Sequence, residues 1–160
     1  MKPIFLLHGF LGYRRFWYWT LFRGVKKHLE THGYRVYQPL VHPTASIQER
    51  AEEIIRYINT NIGESEKVHL FAHSMGGLDA RYLISPNGLG LGHRVLTLTT
   101  ISTPHRGSSV AEALPKSLQV PISYLAKVGT WLPADRDTRQ LIRKVAENRW
   151  DGYDQLTPGY

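Results

Sequence analysis

Residues 68–77 read Val68-His69-Leu70-Phe71-Ala72-His73-Ser74-Met75-Gly76-Gly77, and the way this stretch divides decides the fold. Val68 to Ala72 is a short apolar run of the kind a buried strand shows. Residues 76–84 carry the pattern of a helix. Ser74 therefore falls on a turn between strand and helix, with His73 before it. A hydroxyl placed there stands proud of a tight, strained turn that needs small neighbours two residues before and two after. Ala72 and Gly76 meet that need, and Gly77 lets the helix approach the sheet. The helix starts directly after the serine, so its unsatisfied N–H groups and positive dipole end favour an anion nearby. Ser74 is the candidate nucleophile, and the Met75 N–H is the predicted first donor to an oxyanion. Small-x-Ser-x-Gly is a weak signal alone, because many serines before glycine merely open helices. The flanking strand and helix make it specific.

Working outward, Ile4-Phe5-Leu6-Leu7 is a second short apolar run, as buried parallel strands show. It leads into His8-Gly9-Phe10-Leu11-Gly12. A second oxyanion donor is expected from the loop after the first strand, and the Phe10 N–H is the predicted one. Residues 15–31 are predicted as a helix, with Phe22, Val25 and Leu29 spaced three and four apart and Gly33 ending it. Tyr34 to Gln38 is a β-rich run stopped by Pro39. The clearest helix spans 47–62, where Ile47, Ala51, Ile54, Ile55, Ile58 and Ile62 share one face. Ser46-Ile47-Gln48-Glu49 fits a capping box, and Gly63 fits a C-terminal cap. Arg94 to Ser102 is the last predicted strand. Strands alternate with helices, which is the pattern of an α/β domain with a parallel sheet. Residues 104–136 break the alternation with Pro104, Pro115, Pro121 and Pro133. Leu141, Ile142 and Val145 suggest one more helix, and Asp151 to Tyr160 is turn-rich.

With those motifs in place, the chain resembles the bacterial triacylglycerol lipases of the Pseudomonas and Burkholderia type, and more loosely other α/β-hydrolase lipases. The matching stretches are Pro3 to Gly12 (PIFLLHGFLG), Val68 to Gly77 (VHLFAHSMGG), Arg81-Tyr82 and Ile101 to Ser108 (ISTPHRGS), with Leu156-Thr157-Pro158 near the end. The resemblance implies an α/β-hydrolase fold, a mostly parallel sheet with flanking helices. It implies hydrolysis of lipid or other acyl esters through an acyl-enzyme. It supports Ser74 as nucleophile and Phe10 and Met75 as oxyanion donors, with His8, Gly9, Gly12, Ala72, His73, Gly76 and Gly77 supporting the motif. The reading is of one domain over 1–160, with a nucleophile-bearing core at 1–103 and a cap or lid region at 104–150. Contact with a membrane or lipid-droplet surface goes with such a cap.

A serine needs a histidine base and an orienting carboxylate, which follow the serine in the order acid, then histidine, in α/β-hydrolases. After Ser74 come only His93 and His105. His105 lies in the ISTPHRGS signature, structural in the family, and His93 precedes a strand at the wrong point of the fold. The triad acid and histidine are therefore not found in this chain, and the C-terminal strands of the fold are expected to be lacking. A truncated or split chain is the expectation, with self-association through the open sheet edge. The family's calcium site belongs to that later part and is not carried over. No metal or cofactor is assigned. Two other readings stay open: an acyltransferase or thioesterase with the same elbow, and a non-catalytic module that binds lipid or a partner.

The remaining features are less directed. His28 and His32 stand four apart and are read as exposed residues near a helix C-terminus. His69 is read as a strand residue. Asp79 follows the elbow too closely to be the triad acid, and Asp135 and Asp137 read as loop or cap residues. Phe16-Trp17-Tyr18-Trp19 is either helix packing or one wall of an acyl pocket. Leu114 to Leu132 is either a lid or a surface excursion. The net charge of +7 is scattered, and no nucleic-acid motif accompanies it. Cysteine is absent, which excludes disulfides and thiolate metal sites. At 42% hydrophobic and 21% charged, the composition is that of a globular domain, with no apolar run long enough to span a bilayer. No signal-peptide core follows residue 7. That favours a cytoplasmic location, with secretion open if a leader was removed.

Overall fold

A computed structural model describes residues 2–10, 22, 24–107 and 155. Its elements in chain order are β1 (Ile4–Leu7), α1 (Val25–Thr31), β2 (Val36–Tyr37), α2 (Ile47–Asn61), β3 (Val68–His73), α3 (Gly76–Ile84), a 3-10 turn (Leu91–Arg94) and β4 (Val95–Ile101). The strands form one parallel sheet in the order β2-β1-β3-β4. Ile4 pairs with Val36 on one side and His69 on the other, so β1 lies between its two successors. The chain moves outward from β1 to β2, then returns across β1 to β3. That reversal opens a crevice beyond the carboxyl ends of β1 and β3, the usual place for a ligand in such sheets.

Alternation builds the core. Val68, Leu70 and Ala72 of β3 are buried, while His69, Phe71 and His73 are half-buried on the opposite face. The buried face of β3 joins Phe5 and Leu7 of β1, Ile54 and Ile58 of α2, and Ala80 and Leu83 of α3 in one apolar cluster. Removing each of the larger side chains, such as Phe5, Leu70 or Ile54, from water is worth about 1.5–3 kcal/mol. Phe5 also stacks on Tyr37, centroids 4.9 Å apart, and meets Tyr57 edge-on. Among the described residues no helix is long and apolar enough to cross a membrane.

The parallel α/β pattern read from the sequence is the observed one, with differences at the element ends. The helix predicted over 15–31 is not continuous, and among the described residues it begins at Val25. Phe22 and Gly24 have φ of 61° and 77°, which no continuous helix accommodates. Residues 11–21 and 23 lie outside the described residues. Gly33 ends α1 as expected, at φ 82°. Its N–H bonds Glu30 O, and the Tyr34 N–H bonds Leu29 O, which is a Schellman closure. β2 is two residues long, shorter than the predicted run. Gly63 does not cap α2. The helix stops one residue before the predicted end, because Ile62 turns extended and buries its side chain. Arg94 then bonds Gly63 O at 2.9 Å and Asn59 Oδ1 at 2.8 Å, closing that end from outside. The sequence placed Arg94 at the start of β4. It is instead the last residue of the 3-10 turn, and β4 ends at Ile101. The expected helix around 141–145 and the boundary of the 104–150 region fall on residues outside the described set, apart from 104–107.

The start of α2 is a capping box as read. Ser46 Oγ accepts from the Glu49 N–H, and the Glu49 carboxylate accepts from the Ser46 N–H. Ser46→Ala is expected to cost about 1 kcal/mol. Denaturant unfolding of both proteins checks this, and an unchanged midpoint would mean the cap is redundant.

Candidate active site

The segment after β3 does not relax into an ordinary turn. Ser74 has φ 54°, a left-handed conformation that serine rarely adopts. Two backbone bonds hold it there. The Ser74 N–H donates to Ile101 O at 2.9 Å, and the Gly77 N–H donates to Ser74 O at 3.0 Å. The first ties the elbow to the end of β4, and the second starts α3. Met75 stands at the N-cap of α3 and supplies no side-chain cap. The helix therefore opens with its N–H groups left to other partners.

Glycine is required by distance here rather than by flexibility. A Cβ on Gly76 would lie 2.7 Å from His8 O and 2.8 Å from Leu7 O. A Cβ on Gly9 would lie 2.6 Å from Ser74 Cβ and 3.0 Å from Ser74 Oγ. A Cβ on Gly77 would strike Thr103. The end of β1 and the start of α3 thus approach to backbone contact, and Gly9 lies directly on the serine. Ala72 and Met75 are fully buried, and Phe10, Ile47 and Leu78 pack on Met75. Of the residues singled out in the sequence, Gly9, Phe10, Ser74, Met75 and Gly76 come together. His73 is half-buried. Gly12 and the 16–19 aromatic run lie outside the described residues.

His8 is buried beside this junction. The Val41 N–H donates to its Nε2 at 3.4 Å, so Nδ1 carries the proton and donates to Gly9 O at 2.9 Å. The ring thus ties the loop after β1 to the loop after β2. His69, His93 and His105 have separate partners. His69 Nδ1 meets Thr97 Oγ1 at 2.8 Å, and His93 Nδ1 donates to Gly90 O at 3.1 Å. His105 accepts from Arg81 at Nδ1, and its Nε2–H donates to Thr100 Oγ1, both at 3.2 Å. It therefore clamps α3 to β4. His28 and His32 are exposed at the end of α1, where positive charge suits the helix dipole.

Sequence reading missed the main polar group beneath the elbow. Arg50 of α2 and Asp79 of α3 are both wholly buried, with Nη2 2.8 Å from Oδ2. Arg50 Nε donates to the same oxygen at 2.9 Å, Nη1 to His42 O at 2.6 Å and Nη2 to His8 O at 2.8 Å. A signal was present in the sequence. Arg50 falls three residues after Ile47 and four before Ile54, on the apolar stripe of α2. Asp79 sits likewise between Gly76 and Leu83 on the buried side of α3. A charge on a buried stripe calls for a buried partner.

Burial pushes the Asp79 carboxyl from its ordinary 3.8 up to about 6, although the charge and hydrogen bonds of Arg50 pull it down and Glu53 adds a smaller upward push. Glu53 itself accepts from the His42 N–H at 2.9 Å, on the far side of Arg50's carbonyl partner. Among the described residues Asp79 Oδ1 has no hydrogen-bond partner.

Comparisons with known proteins give the family and the fold. The family described as "Putative serine esterase (DUF676)" matches residues 46–147, and the chain belongs to it. The chain is 43% identical over 101 residues to "Triacylglycerol lipase 2" of Saccharomyces cerevisiae, covering 59% of this chain and 30% of that protein. It is 30% identical over 117 residues to the triacylglycerol lipase of Pseudomonas fragi, covering 70% of this chain and 38% of that one. The chain thus spans about a third of the length of the curated relatives it matches. The crystal structure of Staphylococcus hyicus lipase superposes with a TM-score of 0.66 at 19% identity, covering 98% of this chain and 60% of that one. That likeness is one of fold, and the sheet described above is the parallel sheet of an α/β-hydrolase.

Two outcomes follow from the geometry. Gly76→Ala forces backbone apart at the elbow and is expected to cost about 1–3 kcal/mol, seen as a lowered unfolding midpoint; an unchanged midpoint would deny the close approach. The second concerns pH. Between 3.8 and about 6 the folded chain holds a proton on Asp79 that the unfolded chain has lost. Stability from this group is therefore fully present below that window and falls as pH rises through it. Asp79→Asn removes the effect. Wild-type stability should decline relative to the variant from the lower to the upper limit of the window, and a constant difference in melting temperature would contradict the assignment.

Proposed function

We propose that the protein is a serine carboxylic-ester hydrolase acting on lipid or other acyl esters, with Ser74 as its nucleophile. The observation that carries this reading is the strained elbow: Ser74 at φ 54° between β3 and α3, with Gly9 pressed against its side chain. In this reading Ser74 Oγ attacks the ester carbonyl carbon. The carbonyl oxygen becomes an oxyanion held by the Met75 and Phe10 N–H groups. Collapse breaks the bond to the alcohol and leaves an acyl-enzyme, which water then hydrolyses. A histidine takes the serine proton and returns it to the departing alcohol. All eight histidines of the sequence lie among the described residues, and His69, His93 and His105 are hydrogen-bonded elsewhere, so the reading gives this role to a histidine that these 160 residues do not supply.

The lipid-ester class is supported by the yeast and bacterial relatives, which are named triacylglycerol lipases. A cap over residues 104–150 and contact with a lipid or membrane surface belong to the same reading. So does self-association through β4, the outer strand of the described sheet, where Leu96 and Ile101 are 43% and 44% exposed.

A fluorophosphonate probe applied to the full-length protein and to Ser74→Ala tests the assignment. Labelling should disappear in the variant, and ester turnover should fall by roughly a million-fold. A variant that keeps most of its turnover ends the reading. Free acid as the main product, with an alcohol acceptor present, separates a hydrolase from an acyltransferase.

A further inference from the structure

Arg50 and Asp79 take no part in the chemistry just described, yet their position bears on it. The planar guanidinium of Arg50 joins three segments at once. It holds the carbonyl of His8 after β1, the carbonyl of His42 before α2, and the carboxylate of Asp79 in the first turn of α3. Two of these segments carry the proposed oxyanion donors. Phe10 follows His8 by two residues. Met75 opens the helix that bears Asp79, and the Asp79 N–H itself donates to Met75 O at 3.1 Å. The chain from one donor to the other therefore runs Phe10 loop, His8 carbonyl, Arg50, Asp79, Met75.

Stability alone does not account for this pair. Taking both charges out of water costs several kcal/mol, and well-packed apolar residues of similar volume often serve as well or better. Among the described residues Asp79 Oδ1 remains without a partner, which adds to the cost. Apolar side chains could fill the space between α2 and α3, but they could not grip the His8 carbonyl. A guanidinium fork fixes direction as well as contact. Catalytic donors must be held to within about 0.5 Å of their working positions.

We propose that Arg50 is a positioning residue, anchored by Asp79, that fixes the spacing of the Phe10 and Met75 N–H groups in the oxyanion hole. The proposal rests on the serine-ester reading of the site. Neither side chain touches substrate. Arg50 acts on the donor that the loop after β1 carries, and Asp79 ties Arg50 to the donor at the start of α3.

The test uses Arg50→Lys in the full-length protein, which keeps the charge but cannot reach all three oxygens. Reactive serines are first counted with the fluorophosphonate probe, so that kcat is expressed per working site. A phenylboronic acid, which forms a tetrahedral adduct on the serine, reports on the oxyanion hole directly. Expected is a fall in kcat per site of about 10- to 100-fold, no more than loss of one donor gives. Boronate binding should weaken in step, with KM held within about twofold because ground-state binding is untouched. Asp79→Asn, similar in size and still an acceptor for Arg50 Nε, should show a smaller change of the same kind. Unchanged kcat per site in folded Arg50→Lys overturns the proposal. So does a loss confined to the number of reactive serines, which is what a purely structural role produces. If neither variant folds, the pair is structural and the proposal fails. Wild-type protein without Ser74-dependent labelling removes the underlying reading instead, and that result is distinguishable because it precedes any change at Arg50.

Discussion

The end of β1 and the start of α3 meet with no room for a side chain between them. Gly76 faces the carbonyls of Leu7 and His8, and Gly9 faces Ser74. This contact dictates much of what surrounds it. It requires β1 and β3 to be neighbours, which the return of the chain across β1 provides. It requires Ser74 to turn sharply enough to bring α3 back over the sheet, at the cost of a left-handed backbone. The strain is borne because α3 then seals Ala80 and Leu83 against the apolar cluster. Local discomfort is thus offset by burial elsewhere, the usual bargain at a working site.

Beneath the contact lies a polar layer rather than more hydrocarbon. Arg50, Asp79, His8, His42 and Thr44 are all buried. The carbonyls of His8 and His42 lie in loops, where a donor can reach them from the side. Arg50 does this from the helix above. Its second function is to neutralise Asp79, which would otherwise stand alone in an apolar setting. The layer therefore solves two satisfaction problems with one side chain.

The parallel α/β plan was legible because its signals are local. Ser46 to Glu49, the isoleucine stripe of α2, and the strand–serine–glycine sequence at 68–77 each state their own structure. What was less legible depended on partners distant in sequence. The break in the helix predicted over 15–31 was not legible, because Phe22, Val25 and Leu29 keep helical spacing while Gly24 turns the backbone between them. Gly63 looked like a cap, but Ile62 gained more from burial than the helix gained from another turn. The junction of Gly9 with Ser74 was anticipated through motif spacing. The Arg50–Asp79 pair was not, because neither residue's local sequence names the other: Asp79 stands as a carboxylate close after the elbow, and Arg50 as one charge on a stripe otherwise made of apolar side chains. Two buried charges on two facing helices are a single feature, and only pairing the helices makes it visible.

The position of β1 between β2 and β3 also bears on how the chain comes together during synthesis. Phe5, Leu6 and Leu7 are almost wholly buried, yet one edge of their strand waits for residues 69–72. Pairings so far apart along the chain form late, because loop closure must precede any reward. As the polypeptide leaves the ribosome, that edge of β1 is thus enclosed only after β3 has been made. A growing chain of this design presents its stickiest edge throughout the interval in which α1, β2 and α2 are being made. An unpaired apolar edge of that kind is where a partly made chain is open to wrong pairing.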